Sequence, residues 1–120
     1  MLAHVITDGR SIAVRERTEN GIWQGLWEFP STWTEGRLQA PPLSPPVQSL
    51  TLRETLTLPR PHLLSHRKIW GHFLVWQTEQ PGNDWERDWA WIEWEAAQAK
   101  PWPKLTERHW KELRQMTDWD

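Results

Sequence analysis

The side chains best suited to chemistry cluster between positions 62 and 68, as His62, Ser65, His66, Arg67 and Lys68. His62 and His66 stand four residues apart, the spacing at which two imidazoles on one helix face hold a metal ion. Pro61 and the apolar strand pattern that follows place them on a loop instead, and no third ligand is evident, so no metal site is expected. Ser65 beside His66 offers a nucleophile and a base. Adjacent residues rarely face each other in a loop or strand, however, and no Gly-x-Ser-x-Gly context surrounds them. By residue type alone, this pair opens a strand and caps its backbone groups. The remaining histidines, His4, His72 and His109, form no further ligand pair, and Asp8 before Gly9 is a turn residue.

A second run, residues 21–30, must position whatever site exists. It contains Gly21, Trp23, Gly25, Leu26, Trp27, Glu28, Phe29 and Pro30. The glycines disfavour a helix and the proline disfavours a regular strand, so a structured loop pinned by buried aromatics is expected. Glu28 is read as satisfying buried backbone donors rather than as a catalytic acid.

Composition narrows the function classes. At 120 residues the chain is read as one domain, 1–120, with a modest core. It has no cysteine, which excludes disulfides, thiolate nucleophiles, zinc–thiolate sites and iron–sulfur clusters. No run of about 18 apolar residues is present, so a soluble protein without membrane contact is expected. A net charge of −2 argues against a nonspecific nucleic-acid coat. The charge is uneven: Arg53, Arg60, Arg67 and Lys68 crowd residues 51–70, whereas residues 79–95 are acidic. Twelve tryptophans with no tyrosine supply large core anchors, and some could stack on bases.

The element pattern is mixed. Residues 2–7 and 11–17 flank an Asp-Gly turn and predict a β-hairpin. Four prolines within 37–46 predict an extended connection. Residues 47–58 alternate weakly as a strand. Residues 69–78 carry apolar side chains on both faces and predict a central strand. Residues 81–84 form a turn, and 89–94 a short strand with Trp89 and Trp91 on one face. A closing helix is expected over 107–116, with Thr106 as N-cap and Leu105 and Trp110 as a staple. The fold class is α+β.

Gly-x-Trp-x-Gly-Leu-Trp-Glu-Phe-Pro at 21–30, with Leu64-Ser65-His66 ahead of an aromatic strand, resembles the C-terminal, Nudix-like domain of MutY-type adenine DNA glycosylases. The resemblance spans nearly the whole chain, including Pro101-Trp-Pro-Lys-Leu before the last helix. It implies a Nudix-like mixed sheet packed with helix. In that family a Phe-Ser-His loop probes the base opposite the target adenine, and its serine hydrogen-bonds 8-oxoguanine. By position Leu64 replaces the phenylalanine, Ser65 takes the place of the reading serine, and His66 follows it. A short hydroxyl can donate and accept at a base edge, and Arg67 and Lys68 add positive charge for phosphate.

The resemblance also implies what the chain does not do. Nudix hydrolases hold divalent metal with clustered glutamates on a helix, because a diphosphate-bound metal needs several converging oxygen ligands. The corresponding stretch here, 34–52, carries the single acid Glu35 and four prolines, so that helix is expected to be shortened or lost. The family's catalytic half, with its cluster-binding cysteines, has no counterpart. The expectation is therefore a non-enzymatic, cofactor-free, monomeric recognition domain of the bacterial cytoplasm. Its partners would be duplex DNA containing 8-oxoguanine:adenine and the glycosylase catalytic domain of the same parent chain. Two alternatives stay open: a stand-alone Nudix-fold nucleotide hydrolase, and a protein-interaction module using the tryptophan surplus.

Overall fold

Strands β1 (Leu2–Thr7) and β2 (Ser11–Glu16) form the expected hairpin. Its turn is closed by side chains: Asp8 Oδ1 accepts the backbone N–H groups of Arg10 and Ser11 at 2.9 and 2.7 Å. Gly9, at φ 96°, supplies the left-handed residue such a turn needs. The computed structural model describes residues 1–18, 20–33, 50–64, 67–79 and 89–119. The proline-rich segment 37–46 and the expected turn at 81–84 lie outside these.

The remaining elements are β3 (Trp27–Glu28), β4 (Ser31–Thr32), β5 (Thr51–Thr57), β6 (His62–Leu64), β7 (Arg67–Ile69), β8 (His72–Gln77), β9 (Ala90–Glu93), α1 (Trp94–Gln98), α2 (Lys104–Glu107) and α3 (Trp110–Met116). Among the described residues the main sheet has seven strands, in the order β3-β2-β1-β8-β5, with β4 paired to β1 and β9 to β2. β1 runs parallel to β8, from Leu2 opposite His72 to Thr7 opposite Gln77. The other pairings are antiparallel. β6 and β7 form a separate two-stranded ribbon. The architecture is the mixed α+β arrangement expected. No helix among the described residues is long and apolar enough to cross a membrane.

Alternation along the strands divides the core in two. On one face Ala3, Val5, Phe73 and Val75 meet Trp94, Trp102, Leu105, Trp110 and Leu113 from the helical side. On the other, Leu2, Ile6, Leu74 and Trp76 are covered by Leu50, Leu52, Trp89 and Trp91. Both β1 and β8 are buried on both faces, as neighbouring inner strands must be. β5 shows why its alternation is weak in the sequence. Its register against β8 shifts between Leu52 and Glu54, and one extra residue in a strand turns every later side chain to the opposite face. Leu52 accordingly packs on the second cluster and Leu56 on the first.

Four local expectations are corrected. The strand read over 69–78 is two strands, β7 and β8, interrupted at Trp70 and Gly71, because β7 pairs with β6 whereas β8 pairs with β1 and β5. The loop read before it contains β6. Trp94 leaves the strand read at 89–94 and begins α1, where its indole N–H donates to Thr7 Oγ1 at 3.4 Å. The closing helix starts earlier and is broken. Pro103 occupies its N-cap and its carbonyl accepts from Thr106 and Glu107, so Thr106 lies inside α2 and caps nothing. At the break, His109 N–H bonds Thr106 O, and the turn delivers the Trp110 ring to Phe29 and Trp102.

A polar pair is sealed in the second face. Trp76 Nε1 donates to His4 Nδ1 at 3.0 Å. An indole nitrogen only donates, so the His4 proton resides on Nε2. Burial pushes the His4 pKa below its ordinary value, consistent with a neutral ring accepting this bond.

Candidate functional site

The loop at 21–30 is built from inside outward. Phe29 is 2% exposed, and its ring meets Trp102 at 4.9 Å, Trp110 at 6.1 Å and Phe73 at 6.5 Å between centroids. Pro30 O accepts from His4 N at 2.7 Å, and Trp27 N–H donates to Pro101 O at 2.8 Å, which ties the run to β1 and to the lead into α2. Gly25 N–H donates to Arg17 O, and Arg17 N–H to Leu26 O, closing the loop on the end of β2. Gly21 and Gly25 have φ of 126° and 84°, and Trp23 between them has φ 62°. A tryptophan in this region costs about 1–3 kcal/mol and holds only where packing dictates it. Here the Trp23 ring lies 5.7 Å from Trp33 and 6.3 Å from His62. The loop expected over 21–30 is present at 21–26, whereas Trp27 and Glu28 form β3 against β2; Phe29 is the anchor, and Trp23 and Trp27 are only half-buried.

Glu28 has a different role from the one expected. Its carboxylate accepts from Arg15 Nε at 3.1 Å and from Arg17 Nη1 at 3.2 Å, and among the described residues from no backbone donor. β2 and β3 pair Arg15 with Glu28 directly, and the next residue of that β2 face, Arg17, reaches the second oxygen. The guanidinium of Arg15 also lies 4.3 Å from the centre of the Trp89 ring. The recess beside this pair, walled by Trp23, Trp27, Phe29 and Trp33, measures about 20 Å³, room for one water. The carboxylate is thus occupied in holding β2 to the loop. Among the described residues no group of three or more His, Asp or Glu side chains is placed to hold a metal ion.

The second half of the site is the β6–β7 ribbon. His62 pairs with Ile69, Leu63 with Lys68 and Leu64 with Arg67. Ser65 and His66, the two residues between Leu64 and Arg67 in the sequence, lie outside the described residues. Strand alternation sorts the rest. Leu64 and Ile69 pack on the first core cluster, whereas Leu63, 68% exposed, and Lys68 face solvent together. The freely exposed apolar side chain of the ribbon is therefore Leu63, which the sequence did not single out. Leu64, expected from the resemblance to stand in a phenylalanine's place, is half-buried against the core. Arg67 and Lys68 are both exposed. The ribbon meets the 21–30 loop through the contact of His62 with Trp23, so two motifs forty positions apart in the chain share one corner of the molecule.

A mixed sheet packed with short helices, with this loop at its edge, is consistent with a Nudix architecture. The chain is similar to the crystal structure of a Nudix hydrolase from M. smegmatis, RenU, with a TM-score of 0.68 over 97% of this chain and 84% of that one. At 13% identity that likeness is one of fold. The NUDIX domain model matches residues 1–112, and the chain belongs to that family. No curated protein matches it at a significant level.

Proposed function

We propose that this Nudix-family domain is a DNA-lesion reader of the adenine-glycosylase type, recognising 8-oxoguanine opposite adenine without hydrolysing nucleotides. The observation that carries the reading is the β6–β7 ribbon. It pairs Leu64 with Arg67 and so holds both ends of the Leu64-Ser65-His66-Arg67 sequence together, with exposed Leu63, Arg67 and Lys68 alongside. That combination suits a base-probing element: hydroxyl and imidazole for a base edge, an apolar side chain for a base face, cations for phosphate. Sequence chemistry argues in the same direction, since 34–52 offers the one acid Glu35 where metal-dependent hydrolysis needs several converging carboxylates. Adenine removal would belong to a catalytic domain elsewhere in the parent protein, and tethering to it would raise the effective concentration of a weakly binding reader.

The test is an NMR titration of the labelled domain at low salt with duplexes containing 8-oxoguanine:adenine or guanine:adenine. Selective shifts at Leu64, Ser65 and His66 with the lesion duplex are expected. Ser65→Ala should lower the preference by the equivalent of about 1–3 kcal/mol, the range of one good base-reading pair. An unchanged preference in that variant defeats the assignment of Ser65. A second reading is favoured by the likeness to a protein described as a Nudix hydrolase: a stand-alone nucleotide hydrolase. Magnesium-dependent turnover of 8-oxo-dGTP by the domain would establish it in place of the first.

A further inference from the structure

A cleft of about 230 Å³ opens at the root of the β6–β7 ribbon, and the lesion-reading role leaves it unused. Buried Leu58 and Leu105 line it, together with Arg60 from the lead into β6, His62 at the start of β6, and Arg108 and His109 from the break between α2 and α3. Among the described residues no carboxylate lines it. Its volume equals that of several waters at about 30 Å³ each, ample for a tetrahedral anion.

The two arginines here differ from most other described arginines, Arg67 excepted. Arg10, Arg15 and Arg17 pair with carboxylates. Arg53 donates to Gln77, and Arg114 to Gly9 O and Thr117. Among the described residues Arg60 and Arg108 have no such partner. Glu112 Oε2 lies 3.8 Å from His109 Nδ1 at the edge of this group. Burial, and then the Arg108 charge, push the His62 pKa below its ordinary value, which places the Arg108 guanidinium within electrostatic reach of that ring.

We propose that this cleft binds a phosphodiester group of the DNA backbone. Two guanidinium forks can each meet two phosphate oxygens, and the imidazoles of His62 and His109 add donors at the same opening. An interaction of this kind reads no sequence. It fixes the register of the duplex so that the ribbon beside it meets the right base pair. The inference rests on the lesion-reading proposal in taking duplex DNA as the ligand, but it assigns a separate site with a separate effect.

The experiment is fluorescence anisotropy of 8-oxoguanine:adenine and guanine:adenine duplexes across a salt series. It uses the 120-residue chain, the Arg60→Gln/Arg108→Gln double variant and Ser65→Ala. Both arginines are exposed, and circular dichroism checks that the double variant folds. The double variant should bind both duplexes more weakly by the same factor, and its plot of log affinity against log salt should flatten by roughly 0.9 for each phosphate no longer neutralised. Arg108→Lys should retain most of the affinity. An unchanged salt slope, or a weakening confined to the lesion duplex, overturns the cleft assignment. Shifts of His62 and His109 with inorganic phosphate but not with duplex would overturn it too, marking a site for free phosphate. A wild-type domain that binds both duplexes equally, yet flattens in the double variant, would remove the lesion reading and keep the cleft.

Discussion

The loop at 21–30 and the ribbon at 62–69 both carry the sequence features that stand out in this chain, yet the fold treats them in opposite ways. The loop is anchored: Phe29 lies among Phe73, Trp102 and Trp110, and its one carboxylate is held by two arginines. The ribbon stands outside the main sheet and leaves Leu63, Arg67 and Lys68 in solvent. A motif that is easily seen is therefore not automatically the motif that acts. The loop is fixed through Phe29 and Glu28, whereas the ribbon gives Leu64 and Ile69 to the core and Leu63, Arg67 and Lys68 to the surface.

The comparison can be broken most sharply at Phe29. Phe29→Ala should lower unfolding free energy by about 3–5 kcal/mol in a denaturant titration, since it empties the centre of an aromatic cluster. A decrease under about 1 kcal/mol would mean the loop is not the anchor its geometry implies. Glu28→Gln should cost about 2 kcal/mol, because two guanidinium donors are deprived of their charged acceptor. Charge-assisted bonds of this kind should be missed at low and high salt alike, given that Glu28 is largely buried. The smallest stability effect belongs to the ribbon: Leu63→Ser should change unfolding free energy by no more than about 0.5 kcal/mol, as for other exposed positions. Duplex affinity measured on the same variant should nevertheless fall. If Leu63→Ser destabilised the protein as much as Glu28→Gln, the division between scaffold and reader would not hold.

Elements closed by their own neighbours are legible in the sequence. Asp8 and Gly9 specify the first turn through bonds within four residues, and the Trp-Glu-Phe-Pro run announces a buried aromatic loop. Short elements set by distant partners are not. β6 has three residues between Pro61 and Ser65, too few to show alternation, and it is a strand because β7 pairs with it. α1 has five residues and no periodicity of its own, so in the sequence Trp94 looks like the continuation of Trp89 and Trp91. Glu28 reads as structural from its setting, but its partners Arg15 and Arg17 are brought to it by the pairing of β2 with β3, which no local pattern encodes. The cleft is invisible in the sequence for the same reason: Arg60 and Arg108 meet only after the chain has folded.

The parallel pairing of β1 with β8 also dictates an order of events. The inner strand at residues 2–7 takes its neighbour from residues 72–77, a closure of about 70 residues whose chain entropy must be given up before the pairing repays it. During synthesis the first hairpin can form once its own residues emerge, but its β1 edge stays open until residues 72–77 have left the ribosome. In refolding, the same closure places this domain among slow, non-local folders, and the open β1 edge is the surface through which partly folded copies would associate.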